Sequence, residues 1–286
     1  MKRSLIFIVL IFCCGVAFAA EPAVPPQRIV SLAPSTTEIL FALGLGDRIV
    51  GVTTFCDYPE EAKKKPKIGG MSNPSLEAVV TMKPDLVVMT TDGNPKEFEA
   101  RLRSLKIRTY VFTARRLAEL PQGIRDMGAV VGVKERAERL AREIETGINT
   151  VKTRKSAMVA DHDVRNPRSA MKKVLFIVWP EPLIVAGPGT VMDDAMGLLG
   201  YENVAAAAKT SYPKYSIEEA IRQAPDVIFV GKASGMDIRE LSKKILNRLA
   251  SVPAVRTGSI YYISDNLYRL GPRVIKGIEE LTACEQ

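Results

Sequence analysis

Apolar runs of four to seven residues alternate with amphipathic stretches along most of the chain. RIVSL (28–32) reads as a strand, and Thr36-Thr37-Glu38 opens an apolar helical stretch that ends at Gly44 or Gly46. RIVGV (48–52), DLVVM (85–89) and TYVF (109–112) read as further strands, with helix-like SLEAVVTM (75–82) and KEFEARLRSL (96–105) between them. From Lys134 to about Met158 the pattern changes. Leu140, Ile144, Ile148 and Val151 form one stripe at helical spacing on a charged background, which predicts a single long helix. A polar stretch (161–173) reads as a loop. Alternation then resumes with KVLFIVW (173–179), PLIVAG (182–187), DVIFV (226–230) and SIYYI (259–263), and a last helix from about Pro272 to Ala283. Strands alternating with helices predict parallel sheet layers covered by helices. The fold class is α/β: two similar Rossmann-like halves joined by one long helix.

A repeat inside the chain supports two lobes built alike. SLEAVVTMKPDLVVM (75–89) resembles SIEEAIRQAPDVIFV (216–230) at an offset of 141 residues. Each copy has Ser, a carboxylate two positions later (Glu77, Glu218), and Pro-Asp leading into an apolar strand. Ser followed by acidic residues is a helix start in its own right. Two copies, one per half, also make a pair of equivalent docking points.

The first residues follow a separate logic. Lys2 and Arg3 precede an apolar run and then Ala17, Ala19 and Ala20, the layout of a cleaved secretory signal. The expected organisation is a signal peptide at 1–20, a Pro-rich leader at 21–27, an N-terminal α/β lobe at 28–132, a linking helix at 133–160 and a C-terminal α/β lobe at 161–286. The whole chain carries 40 Lys+Arg against 32 Asp+Glu, a net +8 scattered along its length. That excess gives solubility and loose anion attraction, with no basic-aromatic platform for nucleic acid. Beyond the signal only Cys56 and Cys284 remain, so an oxidising compartment permits one disulfide or two separate thiols.

Assembled catalytic chemistry is missing. His162 is the single histidine and sits in the polar stretch. No H-E-x-x-H, C-x-x-C, Walker A or G-x-S-x-G pattern occurs. The reading is therefore a binding protein and not an enzyme. Aromatic and charged residues instead gather where strands end: Phe55 and Tyr58, Trp179, Tyr212 and Tyr215, and Asp265 with Tyr268 and Arg269. Ligands of α/β folds sit beyond the carboxyl ends of strands, so these groups predict a cleft between the halves.

RIVSLAPSTTEILFALGLGDRIVGVTTFCDYPEEA (28–62) resembles the opening of periplasmic cobalamin-binding proteins and, more broadly, of ABC-type binding proteins for cobalamin, haem and ferric siderophores. The likeness continues through 73–88, 216–230 and 264–281. It implies the helical-backbone class of periplasmic binding protein, a monomer with a ligand held between two lobes and little hinge motion. It also implies a permease dimer, with its ATPase, whose arginines engage one glutamate per lobe, here Glu77 and Glu218. The family's ligand positions fall on Phe55, Met71, Thr90 and Tyr212, where the cobalamin pattern has larger aromatics, and on Asp265 and Arg269, which are kept. Trp179 would add an aromatic face from the second lobe. The implied cargo is cobalamin or a related corrinoid, with a ferric siderophore or haem as alternatives, and no cofactor of the protein's own.

Overall fold

A computed structural model of the chain describes residues 24–91, 93–163, 171–232 and 237–284. The signal segment expected at 1–20 lies outside the described residues.

Among the described residues the first half holds four strands, β1 (Ile29–Ser31), β2 (Ile49–Val52), β3 (Leu86–Thr90) and β4 (Thr109–Phe112), and five helices, α1 (Pro34–Ala42), α2 (Glu60–Lys63), α3 (Leu76–Thr81), α4 (Lys96–Ser104) and α5 (Leu120–Val130). Its sheet is parallel throughout, in the order β2-β1-β3-β4. Helix α6 (Lys134–Asp163) follows, 30 residues long, or about 45 Å at 1.5 Å per residue. The second half contains β5 (Lys173–Trp179), β6 (Ile184–Val185), α7 (Val191–Leu198), β7 (Glu202–Asn203), α8 (Ile217–Gln223), β8 (Val227–Gly231), α9 (Ile238–Arg248), α10 (Pro253–Arg256), β9 (Ile260–Ile263) and α11 (Val274–Ala283). Its sheet runs β6-β5-β8-β9, with β7 also paired to β5, and among the described residues only β6 is antiparallel. The run at 182–187 thus forms a two-residue hairpin partner instead of a parallel strand.

Every residue of β3 and of β8 is buried, as expected for central parallel strands covered on both faces. One face of the first sheet packs Val30, Val87 and Met89 against Val79, Phe98 and Leu102. The opposite face belongs to a larger core. Ile29, Leu86 and Val88 join the α5–α6 layer and continue through Phe176 and Phe229 of the second sheet to Ile278 of α11. The two halves share one apolar interior, which opposes hinge motion between them.

Helix α6 extends past the expected end at Met158 because Ala-Asp-His-Asp contains no breaker, and its backbone is helical to Asp163. Its seam is Ala137, Ala141, Ile144, Ile148 and Val151, so small residues lead the stripe. They allow α5 close. A Cβ added at Gly128 of α5 would lie 2.1 Å from the Ala137 methyl.

The sequence repeat is a structural repeat. Ser75 and Ser216 both cap their helices, accepting from Ala78 N at 3.2 Å and Glu219 N at 3.0 Å. Each helix run closes on a left-handed residue, Lys83 (φ 48°) and Ala224 (φ 49°). Asp85 then accepts the Arg28 N–H, as Asp226 accepts that of Lys173, and both chains enter a central strand.

Candidate ligand cleft and interlobe clasp

A cavity of about 590 Å³ opens between the lobes at the carboxyl ends of the strands. Phe55 reaches it from the turn after β2, Met71 from the following loop, and Thr90 from the last position of β3. The second lobe contributes Tyr212, Tyr268 and Arg269. Phe55 and Tyr212 are 59% and 47% exposed, so large apolar faces stand open to a ligand. Phe55, Met71, Thr90, Tyr212 and Arg269 are therefore brought together around one cavity. Trp179 and Asp265 are not part of the lining. Trp179 belongs to the β5–β6 hairpin, where its indole N–H donates to the Glu181 carbonyl at 2.9 Å.

The first-lobe wall is held by a side chain with no obvious sequence signal. Asn94 is buried, and its amide oxygen accepts the Thr90 N–H at 2.8 Å. Its amide nitrogen donates to the Leu32 carbonyl at 2.9 Å and the Met71 carbonyl at 2.8 Å. One side chain thus ties β1, β3 and the Met71 loop into a single rim. Beside it, Gly93 at φ 94° leaves room for Met71, whose methyl would lie 2.3 Å from any Cβ there. Asn94→Ala removes three hydrogen bonds from a buried position. We expect a loss of roughly 2–3 kcal/mol in denaturant unfolding and weaker ligand binding, because Thr90 and Met71 lose their common anchor. A variant with wild-type stability would show that the rim is held by packing alone.

The floor of the cavity is ionic. Arg269 spans three carboxylates, bonding Glu38 at 3.3 Å, Asp265 at 2.9 Å, and Asp57. Arg273 grips both oxygens of Glu38, at 2.6 and 2.8 Å, and reaches Asp265 at 3.3 Å. Its guanidinium also lies 4.2 Å from the centroid of the Tyr58 ring. Burial opposes charge on Arg269, yet the Asp57 hydrogen bond and the Asp265 carboxylate outweigh it and hold the guanidinium above its ordinary range. Glu38 and Asp57 come from the first lobe, Asp265 and both arginines from the second. Arg269 and Asp265 are thus parts of a clasp between lobes, with only Arg269 also facing the cavity. A second clasp joins Arg116 and the Leu117 N–H to Asp194 of α7, the latter at 2.9 Å.

Tyr268 stands over this floor as a neutral phenol. Burial pushes its pKa up first, and the neighbouring Asp265 charge pushes it further. Arg115, just past β4, also lines the cavity and donates to the Thr91 hydroxyl at 3.1 Å. Its position at a strand end was a signal that the sequence reading passed over. The lining thus offers aromatic and thioether faces, hydroxyls and arginine nitrogens. Among the described residues it holds no histidine or cysteine.

Cys56 and Cys284 do not form a bridge with each other. Cys56 is buried between the Thr37 and Thr53 hydroxyls, 3.1 Å from each, and burial pushes its thiol pKa up. Cys284 turns back on α11 and donates to the Glu280 carbonyl at 3.2 Å. Glu77 and Glu218 lie in the first turns of α3 and α8, both exposed, at equivalent places in the repeat.

The profile of the family described as periplasmic binding protein matches residues 29–267. The chain is 27% identical over 285 residues to a vitamin B12-binding protein of Pectobacterium atrosepticum, covering 99% of this chain and 95% of that protein. It is 31% identical over 261 residues to an uncharacterized ABC transporter substrate-binding lipoprotein, YvrC, of Bacillus subtilis, covering 90% and 79%. The periplasmic haem-binding protein RhuT of Roseiflexus sp. RS-1, in apo form, superposes with a TM-score of 0.79 at 30% identity, covering 90% of this chain and 97% of that one. These relatives are named as binding proteins, and the fold of RhuT superposes on the architecture described above. This chain belongs to the periplasmic binding protein family.

Proposed function

We propose that this chain is the exported binding component of an ABC importer, which captures a corrinoid in the interlobe cavity and carries it to a permease docking on Glu77 and Glu218. The lining of the cavity carries the reading of the ligand. A corrinoid arrives with its metal already held by its own ring, so the protein needs apolar faces for the macrocycle and polar groups for the amide periphery. Phe55, Met71 and Tyr212 supply the faces, and Thr90, Tyr268 and Arg115 supply hydrogen bonding. The similarity to a vitamin B12-binding protein over 99% of this chain supports the same choice. The corrinoid is cargo and not a cofactor.

Haem is the second reading, favoured by the RhuT superposition and by two tyrosines in the lining. An axial tyrosine binds ferric iron as phenolate, and the environment of Tyr268 opposes that ionisation at neutral pH.

The test is equilibrium dialysis of the purified mature chain against cyanocobalamin, haemin and a ferric hydroxamate, read by the visible absorbance of each ligand. Saturable one-to-one retention of cyanocobalamin alone is the expected result. Retention of haemin with a shifted Soret band, and none of cyanocobalamin, would replace the corrinoid by haem. The ligand's own colour is the right signal because Trp179 is tied into the β5–β6 hairpin and does not line the cavity.

A further inference from the structure

We infer that each lobe docks through a two-part footprint, its glutamate together with the β-branched apolar side chain one helical turn further on: Glu77 with Val80, and Glu218 with Ile221. The inference rests on the docking reading above and adds the chemistry of the partner. Val80 and Ile221 are 41% and 39% exposed. Each lies three residues after its glutamate, and the two pairs are related by the same 141-residue offset as the rest of the repeat. Side chains at i and i+3 of a helix stand about 5–6 Å apart at Cβ, so each lobe offers a carboxylate beside an aliphatic patch. A single exposed aliphatic would mean nothing. Here the neighbours Val79 and Ala220 face the core, while the same outward pair recurs in both lobes.

Charge selects the occupant. Among the described residues, Glu77 and Glu218 have no intramolecular ion pair, whereas the adjacent Glu219 is engaged by Arg222 at 2.6 Å and by Gln223 at 2.8 Å. A second copy of this chain would set carboxylate against carboxylate. The fitting partner presents Arg or Lys flanked within one turn by an apolar side chain, and presents that patch twice, as a homodimer does. On the second lobe the footprint continues into a recess of about 310 Å³ that Glu218 lines together with Leu241 and Pro182.

The test is binding of the full mature chain to its cognate permease–ATPase complex in lipid nanodiscs, followed by biolayer interferometry. The double variant Val80→Ser/Ile221→Ser should raise Kd about tenfold or more, with the cyanocobalamin affinity and melting temperature of the wild type. Leu105→Ser, at a still more exposed aliphatic next to the end of α4, should leave Kd unchanged. If Glu77→Ala/Glu218→Ala abolishes binding while Val80→Ser/Ile221→Ser stays within twofold of wild type, the two-part footprint is wrong and the docking glutamates stand. Normal binding by the glutamate variant would remove the docking reading and this inference together. An equal loss with Leu105→Ser, or a wild-type dimer that the double variant dissolves in sedimentation, would also overturn it.

Discussion

Replacing Glu38 by Ala should destabilise the protein by about 3–5 kcal/mol, the cost of removing one partner from a buried ion pair. The Glu38 side chain is 1% exposed and carries Arg273 through both oxygens and Arg269 through one. Without it, Arg273 keeps only Asp265 as a charged partner among the interactions described. For a chain of this size the loss corresponds to a fall in melting temperature of roughly 10 °C, measurable by circular dichroism. Glu38→Gln keeps the shape and one acceptor, so it should cost less. The paired change Glu38→Leu/Arg273→Met should cost less than the two single changes summed, because it leaves neither charge stranded. Since α1 and α11 belong to different lobes, Glu38→Ala should also weaken ligand binding by loosening the cavity floor. A loss below 1 kcal/mol would mean that water reaches the cluster and that the shared apolar core alone holds the lobes together.

The contrast between strands and clasp shows what a sequence discloses. Strands β3 (86–90) and β8 (227–231) are buried on both faces, and continuous apolar character is a local property that reads directly as a central strand. The repeat was legible for the same reason, since cap, turn and strand entry all lie within one short segment. Helix α5 was hidden because Pro121, Gly123 and Gly128 look like breakers, although Gly128 is there to admit Ala137 of α6. At the site, strand-end positions led to Phe55, Tyr212, Tyr268 and Arg269, while Met71 and Thr90 came from the family resemblance; the strand-end rule overvalued Trp179, whose strand end is covered by the β6 hairpin. The clasp was out of reach. Glu38 reads as one polar residue in an apolar helix, and its partner Arg273 is 235 residues away. Asn94 escaped likewise, because a turn asparagine is ordinary until its three bonds are seen to converge on the cavity rim.

Reversing both charges of the proposed docking pair, Glu77→Arg with Glu218→Arg, should lower whole-cell uptake of the proposed corrinoid cargo by at least about 100-fold while ligand affinity stays at the wild-type value. Each glutamate stands exposed on a helix start that its lobe fixes by a serine cap and a strand-entry aspartate, so the pair is presented at a set separation. Two bidentate arginine contacts at such rigid points define orientation as well as strength. Truncating one member of a desolvated charge pair costs about 2–5 kcal/mol, and reversal adds repulsion, so two sites together exceed the roughly 2.7 kcal/mol that 100-fold requires. One reversal alone should leave partial transport, because the other lobe still anchors. Neither change should move the melting temperature by more than a degree or two, since neither carboxylate has an ion-pair partner among the described residues. Uptake that survives the double reversal would mean that the permease reads another surface. A parallel loss of ligand affinity would tie α3 and α8 to the cleft instead, and a selective loss of transport is what separates a surface built for a partner from one built for the fold.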